Sequence, residues 1–242
     1  MSLLFDDILK REFLVAWQRH DETPELDRIA ESPTTLSKDG YEIPQNAQVS
    51  LRYARFVYQL VKLLQPVQIL EIGMANGISS AFIAKARRSY ARRGEAQSHV
   101  IIDPFQSTEW KGAGRALLRR LNLEFGVEIL EECSCVAVPL LERKGCLFDF
   151  VFIDGNHCMD YTLTDVLMTD RVLRIGGIIA VDDSTDFGVK MAVPYLDKYR
   201  GNLTRIRFDG LFSHWLRERF NKRRRVTVYQ KNSMDQRGAD GI

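Results

Sequence analysis

The sequence predicts an α/β protein built on a doubly wound, mostly parallel sheet, and three observations carry that prediction. Five short runs, VQILEIG, HVIID, VEILEEC, FDFVFID and GIIAVDD, are rich in β-branched residues and almost continuously apolar, as strands are when both of their faces are covered. Each is separated from the next by a stretch long enough for a crossover helix, as parallel neighbours require. The runs end in carboxylates, glycine or cysteine, at the carboxyl ends where sheets of this kind bind ligands.

The elements follow in chain order. Ser2 to about His20 has a helical pattern with Leu4, Ile8 and Trp17 among its apolar members. Pro24 opens a second helix in PELDRIAES, where its missing N–H is no loss. TLSKDGYEIPQ, with Gly and Pro amid polar residues, reads as a loop. From Ser50 to Leu64 the apolar residues Tyr53, Ala54, Val57, Leu60, Val61 and Leu64 keep the helical period, and Pro66 ends it. The five strands come next. LTRIRF and RVTVYQK add two more, the last alternating like an antiparallel edge. Residues 1–49 are thus a helical addition, residues 50–231 one domain, and the tail 232–242 has little to pack and is expected to be mobile.

Composition narrows the function classes. The chain has 242 residues, 45% hydrophobic and 27% charged, enough for one large core. Its formal net charge of +2 calls for no polyanionic partner. No stretch approaches the roughly 18 apolar residues of a membrane helix, and MSLLFDDILKR carries acids where a secretory signal carries bases. A cytoplasmic location away from membranes is expected. Cys133, Cys135, Cys146 and Cys158 share no repeated spacing, against a disulfide framework or a zinc site. The run Lys222 to Arg225 reads as a solvated connection, because no interleaved aromatics accompany it. A nucleic-acid partner is therefore not expected. GLFSHWLRERF, with Phe212, His214, Trp215 and Phe220, fits an acceptor pocket, a homodimer contact or an insertion with its own small core.

The first strand runs into ILEIGMANGISS. Gly73, Ala75 and Gly77 let the backbone approach a ligand, and the helix that follows points its N-terminus at it. The spacing is wrong for a dinucleotide fingerprint, because the glycines do not fall as GxGxxG. Glu71 would also repel a pyrophosphate. A ligand carrying both a carboxylate and an ammonium suits the site better, the ammonium near Glu71.

These residues resemble the first motif of the class I S-adenosylmethionine-dependent methyltransferases, acid-x-Gly-x-small-x-Gly, written here Glu71-Ile-Gly73-Met-Ala75-Asn-Gly77. Ala75 replaces the usual middle glycine. The resemblance implies S-adenosylmethionine as cofactor and a Rossmann-like seven-stranded sheet of order 3-2-1-4-5-7-6 with the last strand antiparallel. It also implies that Asp103, ending the second strand, holds the ribose hydroxyls, and that Cys133 and Ser134 lie near the adenine. By the same resemblance the N-terminal helices are substrate-selecting segments over the site.

Asp154 closes the fourth strand and Asp182-Asp183 the fifth. Adjacent strands lie about 5 Å apart, so these carboxylates converge, a costly crowding unless a cation neutralises them. Hard oxygen ligands suit Mg²⁺ or a similar divalent ion. The pattern IDGNH followed by GGIIAVDD resembles the metal-dependent small-molecule O-methyltransferases of the catechol and macrocin type. That resemblance implies Asp154, Asp182 and Asp183 as metal ligands, Asp154 also beside the cofactor, and a small-molecule hydroxyl as acceptor. His157 stands where catechol-type enzymes carry a lysine base. An imidazole of ordinary pKa near 6.5 can take a hydroxyl proton at neutral pH. A phenol of pKa about 10 is ionised about one part in a thousand at pH 7, a deficit of roughly 4 kcal/mol that a base and a cation together can remove. Alternatives from other classes are a metal-independent or RNA-directed methyltransferase, a cofactor-binding module without catalysis, and a dehydrogenase.

Overall fold

The five apolar runs form strands of one sheet in the structure, a computed structural model that describes residues 22–45, 49–91, 98–206 and 226–236. They are β3 (Gln68–Ile72), β4 (Ser98–Ile102), β5 (Val127–Leu130), β6 (Phe148–Ile153) and β7 (Leu173–Val181). With β8 (Leu203–Ile206) and β9 (Thr227–Lys231) the order is β5-β4-β3-β6-β7-β9-β8. Counted along the sheet's own strands this is 3-2-1-4-5-7-6, as expected. β9 runs antiparallel to both β7 and β8. The chain divides into two compact units, Met1–Val67 with Gly73–Cys133, and Gln68–Ile72 with Ser134–Ile242.

In the first unit, α1 (Pro24–Ala30), α2 (Leu51–Leu64), α3 (Ile78–Tyr90) and α4 (Ala113–Arg120) accompany β4 and β5. Buried Ala54, Val57, Leu60 and Val61 line one face of α2, which packs on α3 with Tyr58 edge-on to Phe82 at 6.4 Å between ring centres. Gln65 then takes a left-handed conformation before Pro66 and closes the helix.

The segment read as a loop, TLSKDGYEIPQ, is corrected by the structure. It holds an antiparallel hairpin, β1 (Thr34–Leu36) and β2 (Glu42–Pro44). Gly40, at φ +82°, makes the turn, and the Ser37 amide donates to the Tyr41 carbonyl at 2.8 Å. Thr35 and Ile43 face inward while their neighbours are more exposed. Strands of three residues are too short for alternation to register in the sequence.

In the second unit β3, β6 and β7 pair in parallel, aligning Ile72 with Ile153 and Ile153 with Val181. Phe148, Phe150 and Phe152 are all buried, and α5 (Ser134–Arg143), α6 (Met159–Val172) and α7 (Phe187–Tyr199) complete this unit, α6 packing on α5, on α7 and on β6. Where β7 begins, the buried Asp170 carboxylate accepts from Arg200 and from Asn202 at 2.9 Å and forms an ion pair with Lys231 at 3.3 Å. The start of the expected mobile tail is held, since Asp235 pairs with Arg200 at 2.7 Å and the Asn232 amide donates to Asn202 at 2.9 Å. The helix expected over Ser2 to His20, GLFSHWLRERF and Lys222 to Arg225 lie outside the described residues. Among the described residues no helix is long and apolar enough to cross a membrane.

Candidate functional site

The loop after β3 is built from left-handed residues. Gly73, Ala75 and Gly77 have φ of +88°, +45° and +85°, a region in which alanine is strained by about 1 kcal/mol. Gly77 has a second reason to be glycine, since a Cβ there would lie 2.7 Å from the Cα of Gly114 in α4. What holds Ala75 in this conformation is Asp103. Its carboxylate accepts from the amides of Met74 at 2.9 Å, Ala75 at 2.8 Å and Phe105 at 2.8 Å. Gln106, buried, joins the brace by donating to the Ala75 carbonyl at 2.7 Å and to Asp103 at 3.2 Å. Asp103, 3% exposed, thus organises the loop. Gln106 was not legible in the sequence, because no spacing rule marks an amide three residues past a strand end.

Within the loop, Asn76 is 1% exposed, and neither of its amide atoms has a hydrogen-bond partner among the described residues. The Ser80 hydroxyl of α3 is in the same state. Buried polar atoms normally find partners, so unmet donors and acceptors around a left-handed loop fit a polar ligand such as the amino-acid end of S-adenosylmethionine. Glu71 is fully buried at the end of β3. Cys133 is exposed, and Ser134 Oγ donates to buried Asp165 at 2.6 Å.

Strand register explains the acids. The amide of Asp154 donates to Ile72 and that of Asp182 to Ile153, so the chain leaves β6 and β7 one step beyond aligned residues. Asp183, at φ +49°, turns the chain back. Asp154, Asp183 and His157 then offer ligand atoms all within 4.8 Å of one another. Asp182, expected as a ligand, is buried and is not a member of this group, because it is the left-handed turn at Asp183 that carries a carboxylate to His157. His157 Nε2 lies 3.6 Å from Asp154 and 3.3 Å from Asp183, and its Nδ1 is 3.2 Å from Asp186. Asp186 was missed in the sequence, being a loop acid 29 residues from its partner.

The electrostatics follow. Hydrogen bonding to Asp154 and the charges of Asp183 and Asp154 push the His157 imidazole up to about 9. Burial raises the Asp154 carboxyl, with His157 opposing and Asp183 reinforcing the rise. In the absence of another cation, His157 is an imidazolium at neutral pH, and a resting general base must be neutral. Two carboxylates fit a hard divalent ion, which would take over the neutralising role of the His157 proton. Gly188 of α7 sits against this turn, where a Cβ would overlap the His157 carbonyl and lie 2.7 Å from the Met159 amide.

A methyltransferase domain family model matches residues 70–184, a span that includes both the loop after β3 and the acids after β6 and β7. A catechol O-methyltransferase of Mycobacterium tuberculosis is 28% identical over 176 residues, covering 69% of this chain and 75% of that one. The fold matches the O-methyltransferase TomG from Streptomyces achromogenes, solved in complex with S-adenosylmethionine, with TM-score 0.60 and 22% identity over 78% of this chain and 84% of that one. It also matches an O-methyltransferase from Bacillus cereus in complex with S-adenosylhomocysteine, with TM-score 0.60 and 18% identity over 77% and 83%. Sheet order, first-motif loop and the family match over residues 70–184 agree: the chain holds a methyltransferase domain on the fold of the class I S-adenosylmethionine-dependent enzymes, and it resembles the catechol-type O-methyltransferases.

Proposed function

We propose that the protein transfers the methyl group of S-adenosylmethionine to a hydroxyl oxygen of a small molecule in the cytoplasm, assisted by a divalent cation. The observation that carries the proposal is the group Asp154, His157 and Asp183 at the carboxyl ends of β6 and β7. The catechol O-methyltransferase relative supports an aromatic hydroxyl as the acceptor class.

Asp154 and Asp183 would hold the cation, leaving the His157 Nε2 lone pair free of it. A bound divalent ion supplies a Lewis acid that lowers the pKa of an acceptor hydroxyl. The chain's own part concerns the proton. Asp186 fixes the imidazole by its contact with Nδ1, leaving Nε2 as the atom that holds or releases a proton beside Asp154 and Asp183. Once His157 is deprotonated, Nε2 is the proton acceptor for the hydroxyl. The oxygen then forms a bond to the methyl carbon, the carbon–sulfur bond breaks with its electron pair on sulfur, and S-adenosylhomocysteine leaves. In the other unit, Asp103 and Gln106 fix the loop that receives the cofactor.

The test is methyl transfer from labelled S-adenosylmethionine to catechols such as 3,4-dihydroxybenzoate, with and without Mg²⁺ after chelation. Transfer that requires the cation and is lost in Asp183→Asn supports the proposal. Transfer at full rate in chelator, or transfer to RNA but to no small hydroxyl compound, would overturn it.

A further inference from the structure

A concave site in the first unit is lined by cations that methyl transfer does not use. The hairpin β1–β2 and helix α4 enclose a groove of about 290 Å³, near the lower end of small-molecule sites, about 300 Å³. Lys38 comes from the hairpin turn, and Arg115, Arg119 and Arg120 come from α4. Four positive residues line this groove although the whole chain carries only +2.

The ordinary reading of such arginines is a solvated helix face, and two of them have partners. Arg115 reaches Glu131 at 3.3 Å and Arg119 reaches Glu124 at 3.4 Å, long single contacts of exposed groups that are worth little. Neither glutamate lines the groove. Lys38 and Arg120 have no ion pair among the described residues. Their placement is built into the backbone. The Lys38 amide donates to the Lys111 carbonyl at 2.9 Å, tying the hairpin to the start of α4. The Lys38 stem lies across Gly112, whose Cβ would come within 2.8 Å of it. Gly112, at φ +70°, therefore serves both as the left-handed cap of α4 and as the space for that stem. A concave surface of one sign focuses its field on an oppositely charged ligand, and guanidinium forks match phosphate oxygens.

We propose that this groove is a binding site for a small molecule bearing a phosphate or diphosphate group, separate from the methyl donor, which carries no phosphate. Its small volume favours a compact anion over a polynucleotide, which needs an extended basic track. The proposal does not depend on the reaction assigned above.

The experiment is calorimetric titration of inorganic pyrophosphate into the full chain at low and high salt, with S-adenosylhomocysteine titrated in parallel. The proteins are wild type, Lys38→Ala/Arg120→Ala, and Arg143→Ala as an exposed arginine outside the groove. The expected result is one pyrophosphate per chain, weakened by salt and weakened about tenfold or more in the double variant. Arg143→Ala should bind as wild type does, and S-adenosylhomocysteine binding should be the same in all three. Absence of pyrophosphate binding in wild type, or equal binding in the double variant, would overturn the proposal. So would simultaneous loss of S-adenosylhomocysteine binding in the double variant. A short single-stranded RNA that outcompetes pyrophosphate in the groove would replace the small-molecule reading with a nucleic-acid one.

Discussion

Two aspartates with the same sequence context, each at a strand end, do different work because of what surrounds them. Asp103 is enclosed by amides and braces a strained loop. Replacing it with alanine should weaken S-adenosylhomocysteine binding by about tenfold or more, from the loss of charge-assisted bonds worth about 1.5–3 kcal/mol each. Binding unchanged in Asp103→Ala would show that the loop holds its shape without the brace. Asp154 faces an imidazole and another carboxylate, so its neighbour His157 becomes the local cation. The sign of the pH dependence follows from that rise to about 9. A group raised in the folded state stabilises it fully below the unfolded pKa near 6.5 and loses that effect as pH climbs through 9. Chelator-treated protein should therefore lose thermal stability between pH 6.5 and 9, and His157→Ala should lack that part of the slope. Parallel stability curves for the two proteins would contradict the imidazolium assignment. The aspartates and His157 were legible as candidates in the sequence, but their division of labour was not. Asp183 owes its place to a left-handed φ that breaks strand alternation, and nothing in the pair Asp182-Asp183 says which one turns.

At the scale of elements, the sequence was most legible where periodicity is long and least where contacts span distance. The strands announced themselves because β6 and β7 are buried on both faces, which forbids polar alternation. Helix α2 did so by its apolar face and the proline after it. The hairpin β1–β2 escaped because each of its three-residue strands buries only one residue. Equally hidden was the network of Asp170 with Arg200, Asn202 and Lys231. It joins the ends of α6 and α7 to β8 and β9 across 30 to 61 residues. Asp170, Arg200 and Lys231 are all at most 5% exposed. Asp170→Ala takes the carboxylate from buried Lys231 and leaves Arg200 with Asp235, and should cost about 3 kcal/mol in denaturant unfolding. A loss below about 1 kcal/mol would mean that the cations relax to water and that the network is not a clasp.

At the scale of the molecule, the sheet order and the family were readable because both rest on strand ends. The glycine-rich turn after β3 and the acids after β6 and β7 fall inside the matched span 70–184. Less readable were Gln106 and Asp186, which belong to no motif, and Asn76, an unspecified position of the first motif; all three acquire meaning only from burial or contact. The two compact units give the account two independent readouts. S-adenosylhomocysteine binding reports on the braced loop of the first, and cation binding reports on the acid group of the second. The measurement that tests the central claim most directly is calorimetric titration of Mg²⁺ into chelator-treated protein saturated with S-adenosylhomocysteine, comparing wild type with Asp154→Asn/Asp183→Asn. The account predicts one Mg²⁺ per chain, tighter at pH 8 than at pH 6 because the cation displaces the His157 proton, and no Mg²⁺ signal in the variant despite intact cofactor binding. Cofactor binding with no Mg²⁺ signal in wild type, or an equal signal in the variant, would contradict it.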